Sequence, residues 1–241
     1  MRLNPTTSDL ESHFDKTLTL SQTGKEIEYG IIDGDNTIVF IKAGLNGSCY
    51  GYENKYVRIG RALKKRYGCS VISSSNPLGY ETDFAAEMDF VRNYAQNRCF
   101  DSYQVYFFGH SNGAALGIIN AWQFAEIKKL VCVNAPLMIN PHLLLRGIKD
   151  FSGEKMTLVY GSKDASFNML KLYSELESDR IGFVCIAGFV FNLFCAECEI
   201  PLCHYYLKLG DYCGFERGAS RGKADGTLPD GSSIEHERRA F

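Results

Sequence analysis

The sequence predicts an α/β fold: one mostly parallel sheet, opened by an N-terminal antiparallel hairpin and carrying helices on both faces. Three observations predict it. Between about residues 25 and 188, short β-branched or aromatic runs alternate with longer stretches, the order of strands and crossover helices in a parallel sheet. The longer stretches repeat their apolar residues at spacings of three and four, as helices packed on a sheet require. Finally, 241 residues with 45% hydrophobic content can bury one full-sized core, which sets the chain apart from disordered and fibrous classes.

Taken in order, the predicted strands are residues 26–32, 37–43, 70–74, 104–108, 129–133, 155–160 and 182–187. The first two are separated by Asp33-Gly34-Asp35-Asn36. Asp-Gly supplies the positive φ of a tight turn, so these two strands are expected to form the antiparallel hairpin, with the remaining strands parallel. Helices are expected over residues 51–67, 83–97, 112–124 and 167–176. In Asp83-Phe84-Ala85-Ala86-Glu87 the aspartate has the position of an N-cap and the glutamate lies in the first turn, where it complements the helix dipole. No internal repeat is present.

Composition narrows the functional classes. The formal net charge is −2, which creates no field to gather nucleic acid or an anionic membrane surface; the expected partner is a small neutral or mixed-charge molecule. Residues 1–16 are polar and lack the apolar core of a secretion signal, and no later run reaches membrane-spanning length. A cytoplasmic location is therefore expected. Of the nine cysteines, Cys49, Cys69, Cys99 and Cys132 are scattered singly, as reduced buried thiols are, which argues against a disulfide framework. After Gly188 the composition changes. Residues 1–213 are expected to form a single domain, and residues 214–241, rich in Gly, Ser and charge, a disordered tail with little apolar surface to offset the entropy of ordering.

The most informative segment is Val105-Tyr106-Phe107-Phe108, which runs into Gly109-His110-Ser111-Asn112-Gly113 and then into the small, apolar run from Ala114 to Ile119. Strand, sharp turn and helix follow one another. Glycines two before and two after the serine let the backbone turn tightly, so that the Ser111 hydroxyl projects above the sheet at a helix N-terminus. There the Asn112 amide faces the place where an oxyanion would form. On these residues the chain resembles the α/β-hydrolase superfamily, in particular its small, lid-poor serine hydrolase or esterase-like members, over about residues 25–188.

The resemblance implies two further positions. The loop Gly44-Leu45-Asn46-Gly47-Ser48 follows the strand at 37–43 and would supply the second oxyanion amide, from Leu45 or Asn46. Asp164, after the strand that ends in Leu158-Val159-Tyr160-Gly161, would be the acid that holds a histidine in the right tautomer. Asn46, Tyr50, Asn76 and Asn112 lie on strand-end loops, where ligands bind in open α/β sheets. No metal or other cofactor is implied.

The pattern breaks at the base. A histidine belongs a few residues beyond the strand at 182–187, yet the chain reads Gly188-Phe189-Val190-Phe191-Asn192. His13 precedes the fold, His110 is the variable position of the elbow, His142 follows the strand at 129–133, and His236 is in the tail. His204 keeps the order serine, acid, histidine and is the candidate base, about sixteen residues too far along. Without a base a serine hydroxyl is a poor nucleophile. Two readings stay open: a serine hydrolase acting on a small ester, thioester or amide, and a catalytically impaired relative, either a binding module or the product of a gene with an altered C-terminus. Cys195, Cys198, Cys203, His204 and Cys213 also admit a zinc site, although their second pair is adjacent rather than spaced. Only about twenty residues, 134–154, connect two of the later strands, leaving little room for a helical lid.

Overall fold

Residues 13–186 are described by the computed structural model of the chain. Eight strands form a single sheet: β1 (Lys16–Gln22), β2 (Lys25–Ile32), β3 (Asp35–Lys42), β4 (Cys69–Ser74), β5 (Gln104–His110), β6 (Ile127–Val133), β7 (Lys155–Gly161) and β8 (Ile181–Ile186). Their order is β1-β2-β4-β3-β5-β6-β7-β8. From β4 onward every pair is parallel, while β1 with β2 and β2 with β4 are antiparallel. The mostly parallel sheet with an N-terminal antiparallel hairpin is thus present.

The hairpin is formed by other strands than the sequence predicts. β1 pairs with β2 from Lys16↔Ile31 to Gln22↔Lys25, and the two-residue turn between them is Thr23 (φ 48°) and Gly24 (φ 77°), the double positive φ that matches strand twist. β2 and β3 are not neighbours, because β4 lies between them. Gly34 serves a different purpose from the one expected: it passes against the start of β4, where a methyl group would overlap the Gly68 and Cys69 carbonyls. The burial patterns explain the outcome. The last five residues of β3 are all buried, as a central strand covered on both faces requires, whereas β1 is exposed or half-buried throughout and suits an edge.

The helices are α1 (Lys55–Tyr67), α2 (Phe84–Asn97), α3 (Asn112–Asn120), α4 (Pro141–Asp150) and the short α5 (Leu170–Tyr173). Along β3, side chains alternate between two cores. Ile38 and Phe40 join the one under α2, α3 and α4, and Val39 and Ile41 the one under α1, so helices cover both faces. Asp83 caps α2 as expected, its Oδ1 accepting from the Ala86 N–H at 3.0 Å. α4 occupies the connection between β6 and β7; its Gly147 lies so close to the Ile118 carbonyl of α3 that no larger residue fits. Cys49, Cys69 and Cys132 are buried free thiols, but Cys99 is exposed: it sits in the turn after α2 at φ 54° rather than in the core.

Candidate active site

Ser111 stands between the end of β5 and the first residue of α3, at φ 53° and ψ −122°. A non-glycine residue there is strained, and such strain persists only where the surroundings hold it. Three contacts hold it. The Ser111 N–H donates to the Val133 carbonyl at the end of β6, at 2.8 Å, and the Ser111 carbonyl accepts from the Ala115 N–H at 3.1 Å. Gly113 then brings α3 so close to β3 that a methyl group would overlap the Ala43 and Lys42 carbonyl oxygens. The predicted geometry of strand, sharp turn and helix is therefore the observed one.

The loop after β3 lies beside this turn. A Cβ on Gly44 would come 3.3 Å from Ser111 Cβ and 3.4 Å from His110 Nδ1. Within the loop the Gly47 N–H donates to the Gly44 carbonyl at 2.8 Å, and the Asn46 N–H donates to the Asn76 carbonyl at 2.8 Å. Asn46's amide is thus committed, whereas the N–H groups of Leu45 and Asn112 have no acceptor among the described residues. Both free donors belong to residues flanking Ser111's position.

The polar residues expected to face a ligand divide. Asn76 and Asn112 are buried and bond to each other, Asn76 Nδ2 donating to Asn112 Oδ1 at 2.8 Å and to the Ala43 carbonyl at 3.0 Å. Asn76 Oδ1 accepts from the Gly79 N–H at 3.1 Å and from Thr82 Oγ1 at 3.2 Å. With its bonds spent inside the protein, the Asn76 side chain ties the loops after β3 and β4 to the start of α3. Tyr50 packs its ring on Phe14 at 5.1 Å.

Asp164 follows β7 and is half-buried. Its Oδ2 accepts from Asn134 Nδ2 at 2.8 Å and its Oδ1 from the Ser166 N–H at 2.8 Å. Asn134 is the residue after Val133, which holds Ser111, so the ends of β5, β6 and β7 place Ser111 and Asp164 on the same carboxyl edge of the sheet. No base joins them among the described residues. His110 is buried beside Gly44, and desolvation, reinforced by the Lys55 ammonium, pushes its pKa down to about 3. His13 and His142 are exposed, His13 ahead of β1 and His142 in the first turn of α4. His204, His236, the cysteine cluster from Cys195 to Cys213 and the tail lie outside the described residues.

One feature at this edge escaped the sequence reading. Lys42, the last residue of β3, is fully buried and pairs with Glu87 of α2, also fully buried, at 2.5 Å. Lys42 Nζ also donates to the Ser75 carbonyl at 2.7 Å and to Ser74 Oγ at 3.1 Å. Burial favours the neutral forms, pushing Glu87 up and Lys42 down against their mutual attraction. The first-turn glutamate thus braces the sheet from inside instead of serving the helix dipole. The signal was there: Glu87 shares the apolar face of α2 with Phe84, Met88 and Val91, and Lys42 ends the apolar run Ile38-Val39-Phe40-Ile41.

No protein-family profile matches the chain, and no curated protein matches it either. Solved structures do. An esterase from Pyrococcus furiosus superposes with a TM-score of 0.63 at 14% identity, over 88% of this chain and 94% of that one. The esterase domain of a Rhodothermus marinus protein gives 0.60 at 15%, over 82% and 96%, and a dienelactone hydrolase from Anabaena variabilis 0.59 at 16%, over 82% and 95%. At such identities the likeness concerns architecture. Strand order, hairpin and helices on both faces agree with it, and the chain has the α/β-hydrolase fold.

Proposed function

We propose that the protein is a serine hydrolase of a small ester, thioester or amide, with Ser111 as its nucleophile. The observation that carries this reading is the strained backbone of Ser111 at the β5–α3 turn, a conformation that a structural serine has no reason to keep. In this reading Ser111 Oγ attacks the carbonyl carbon. The N–H groups of Asn112 and Leu45 stabilise the oxyanion; Asn46, the alternative to Leu45, has its amide engaged by Asn76. Asp164, with two of its acceptor positions held by Asn134 and Ser166, orients a histidine that takes the serine proton and returns it to the leaving group. His204 is the residue assigned to that task. The reaction requires no metal or cofactor.

Turnover of p-nitrophenyl acetate by the full chain tests the assignment. Ser111→Ala is expected to abolish it, Asp164→Asn to lower kcat by about 10³- to 10⁴-fold, and His204→Ala to lower it about as far as Ser111→Ala. A His204→Ala protein that keeps its turnover would move the base elsewhere. A second reading, favoured because Asp164 is bonded to Asn134 and Ser166 and to no described histidine, is that the chain is a catalytically impaired relative that binds without hydrolysing. A well-folded wild type without turnover would establish that reading.

A further inference from the structure

Among the described residues, the chain just after β3, β4 and β6 exposes most of the large apolar side chains left uncovered. Residues 43–52 after β3, 75–80 after β4 and 134–140 after β6 contain no Asp, Glu, Lys or Arg, although 22% of the whole chain is charged. Among the described residues, seven large apolar side chains are exposed, and six of them follow the carboxyl ends of these three strands. Single exposed apolar residues are ordinary, but their gathering at one edge, around a candidate nucleophile, is not.

Strand order divides this gathering in two. In the sequence β4-β3-β5-β6, Ser111 at the end of β5 has Leu45 and Tyr80 on one side and Met138, Ile139 and Leu143 on the other. On the first side Leu45, 52% exposed, leans across Gly79: its Cδ1 lies 2.7 Å from where a Cβ on that glycine would be, with Asn112 Oδ1 3.8 Å from the same point. The Leu45 side chain thus lies near the Asn112 side chain and open to solvent. On the second side Met138, 63% exposed, and Ile139, 48% exposed, stand on the loop whose first residue, Asn134, holds Asp164. An apolar group on either side of a carbonyl seated at Ser111 would meet one of these walls, while a carboxylate held there would lose hydration against apolar side chains and, on the second side, approach the like charge of Asp164.

We infer that the site takes a substrate with apolar groups on both the acyl and the leaving side of its carbonyl, received by Leu45 and Tyr80 on one flank and by Met138, Ile139 and Leu143 on the other. The inference rests on the proposed seat of the carbonyl at Ser111, and it is tested by binding so that it does not depend on turnover. The probes are dibutyl ketone, a non-hydrolysable stand-in for such an ester, and the chain-matched keto acid in which one terminal methyl is a carboxylate. Dissociation constants are measured by calorimetry on the full wild-type chain and on Ser111→Ala.

Dibutyl ketone is expected to bind both proteins at least about tenfold more tightly than the keto acid, and each methylene removed from either arm to weaken it by about fourfold. Leu45→Ser and the double variant Met138→Ser/Ile139→Ser are each expected to flatten that dependence on arm length. The inference is overturned if the keto acid binds as well as the ketone, or if the rim variants bind dibutyl ketone as the wild type does. It is likewise overturned if the wild type is a dimer that the rim variants dissociate, because the apolar rim then serves a second copy of the chain. Ketone selectivity in a protein that turns over no ester would refute the hydrolase reading and leave this inference standing.

Discussion

The backbone of Ser111 and the side chain of His110 express one compromise at neighbouring positions. The turn that lifts the serine above the sheet drives the preceding residue into the core, so His110 sits 9% exposed beside Gly44. Its pKa is pushed down to about 3 by burial, with Lys55 adding to the effect. The unfolded chain binds a proton on this imidazole near pH 6.5 and the folded chain does not until near pH 3. Stability is therefore complete above about pH 6.5 and declines as the pH falls toward 3. Between pH 7 and pH 4.5 the loss from this residue should be about 2–3 kcal/mol. Urea denaturation at the two pH values checks it: His110→Asn should lose clearly less than the wild type, and equal losses would mean that the imidazole is not held neutral. At this scale the sequence showed the candidate serine, its two glycines and the candidate acid, because each is tied to a local pattern. It did not show which amide of the loop at 44–48 was free, since that depends on a bond from Asn46 to Asn76, thirty positions away in the chain.

Among the elements, β3, β4 and α2 are joined by the buried pair Lys42 and Glu87, reinforced by Ser74 and the Ser75 carbonyl. Removing one partner strands a charge in the core. Lys42→Met should destabilise the fold by about 3–5 kcal/mol, and Lys42→Met/Glu87→Leu should recover most of that loss, since replacing a whole buried pair by apolar groups is often neutral. Chemical denaturation of the two variants gives the answer; a double variant no better than the single one would show that the pair is worth more than its desolvation. Strand periodicity revealed these elements and their cap at Asp83. It misassigned the hairpin because Asp33-Gly34 resembles a tight turn locally, whereas the pairing of β2 with β4 rather than β3 is a long-range choice set by which strands can be buried on both faces. β1 went unnoticed for the converse reason, being an exposed edge with only Leu18 packed against the core.

For the whole molecule, the order β4-β3-β5-β6-β7 brings the loops after five strands to one edge, where the candidate site lies. Each loop is unremarkable alone: a glycine turn, an asparagine, an apolar stretch. In the proposed site they would surround Ser111 with the amides of Leu45 and Asn112, the Asp164 carboxylate and an apolar rim, a combination no local window of sequence contains. The fold class was legible because it follows from alternation repeated along the chain, while the gathering of exposed apolar residues at one edge became meaningful only once the strand order was known. The central claim, that Ser111 is an activated nucleophile, is tested most directly by treating the full chain with a fluorophosphonate and mapping the modified peptide. The account predicts one phosphonyl group, on Ser111, absent from Ser111→Ala. A well-folded chain that stays unlabelled, or carries the label on another residue, would contradict it.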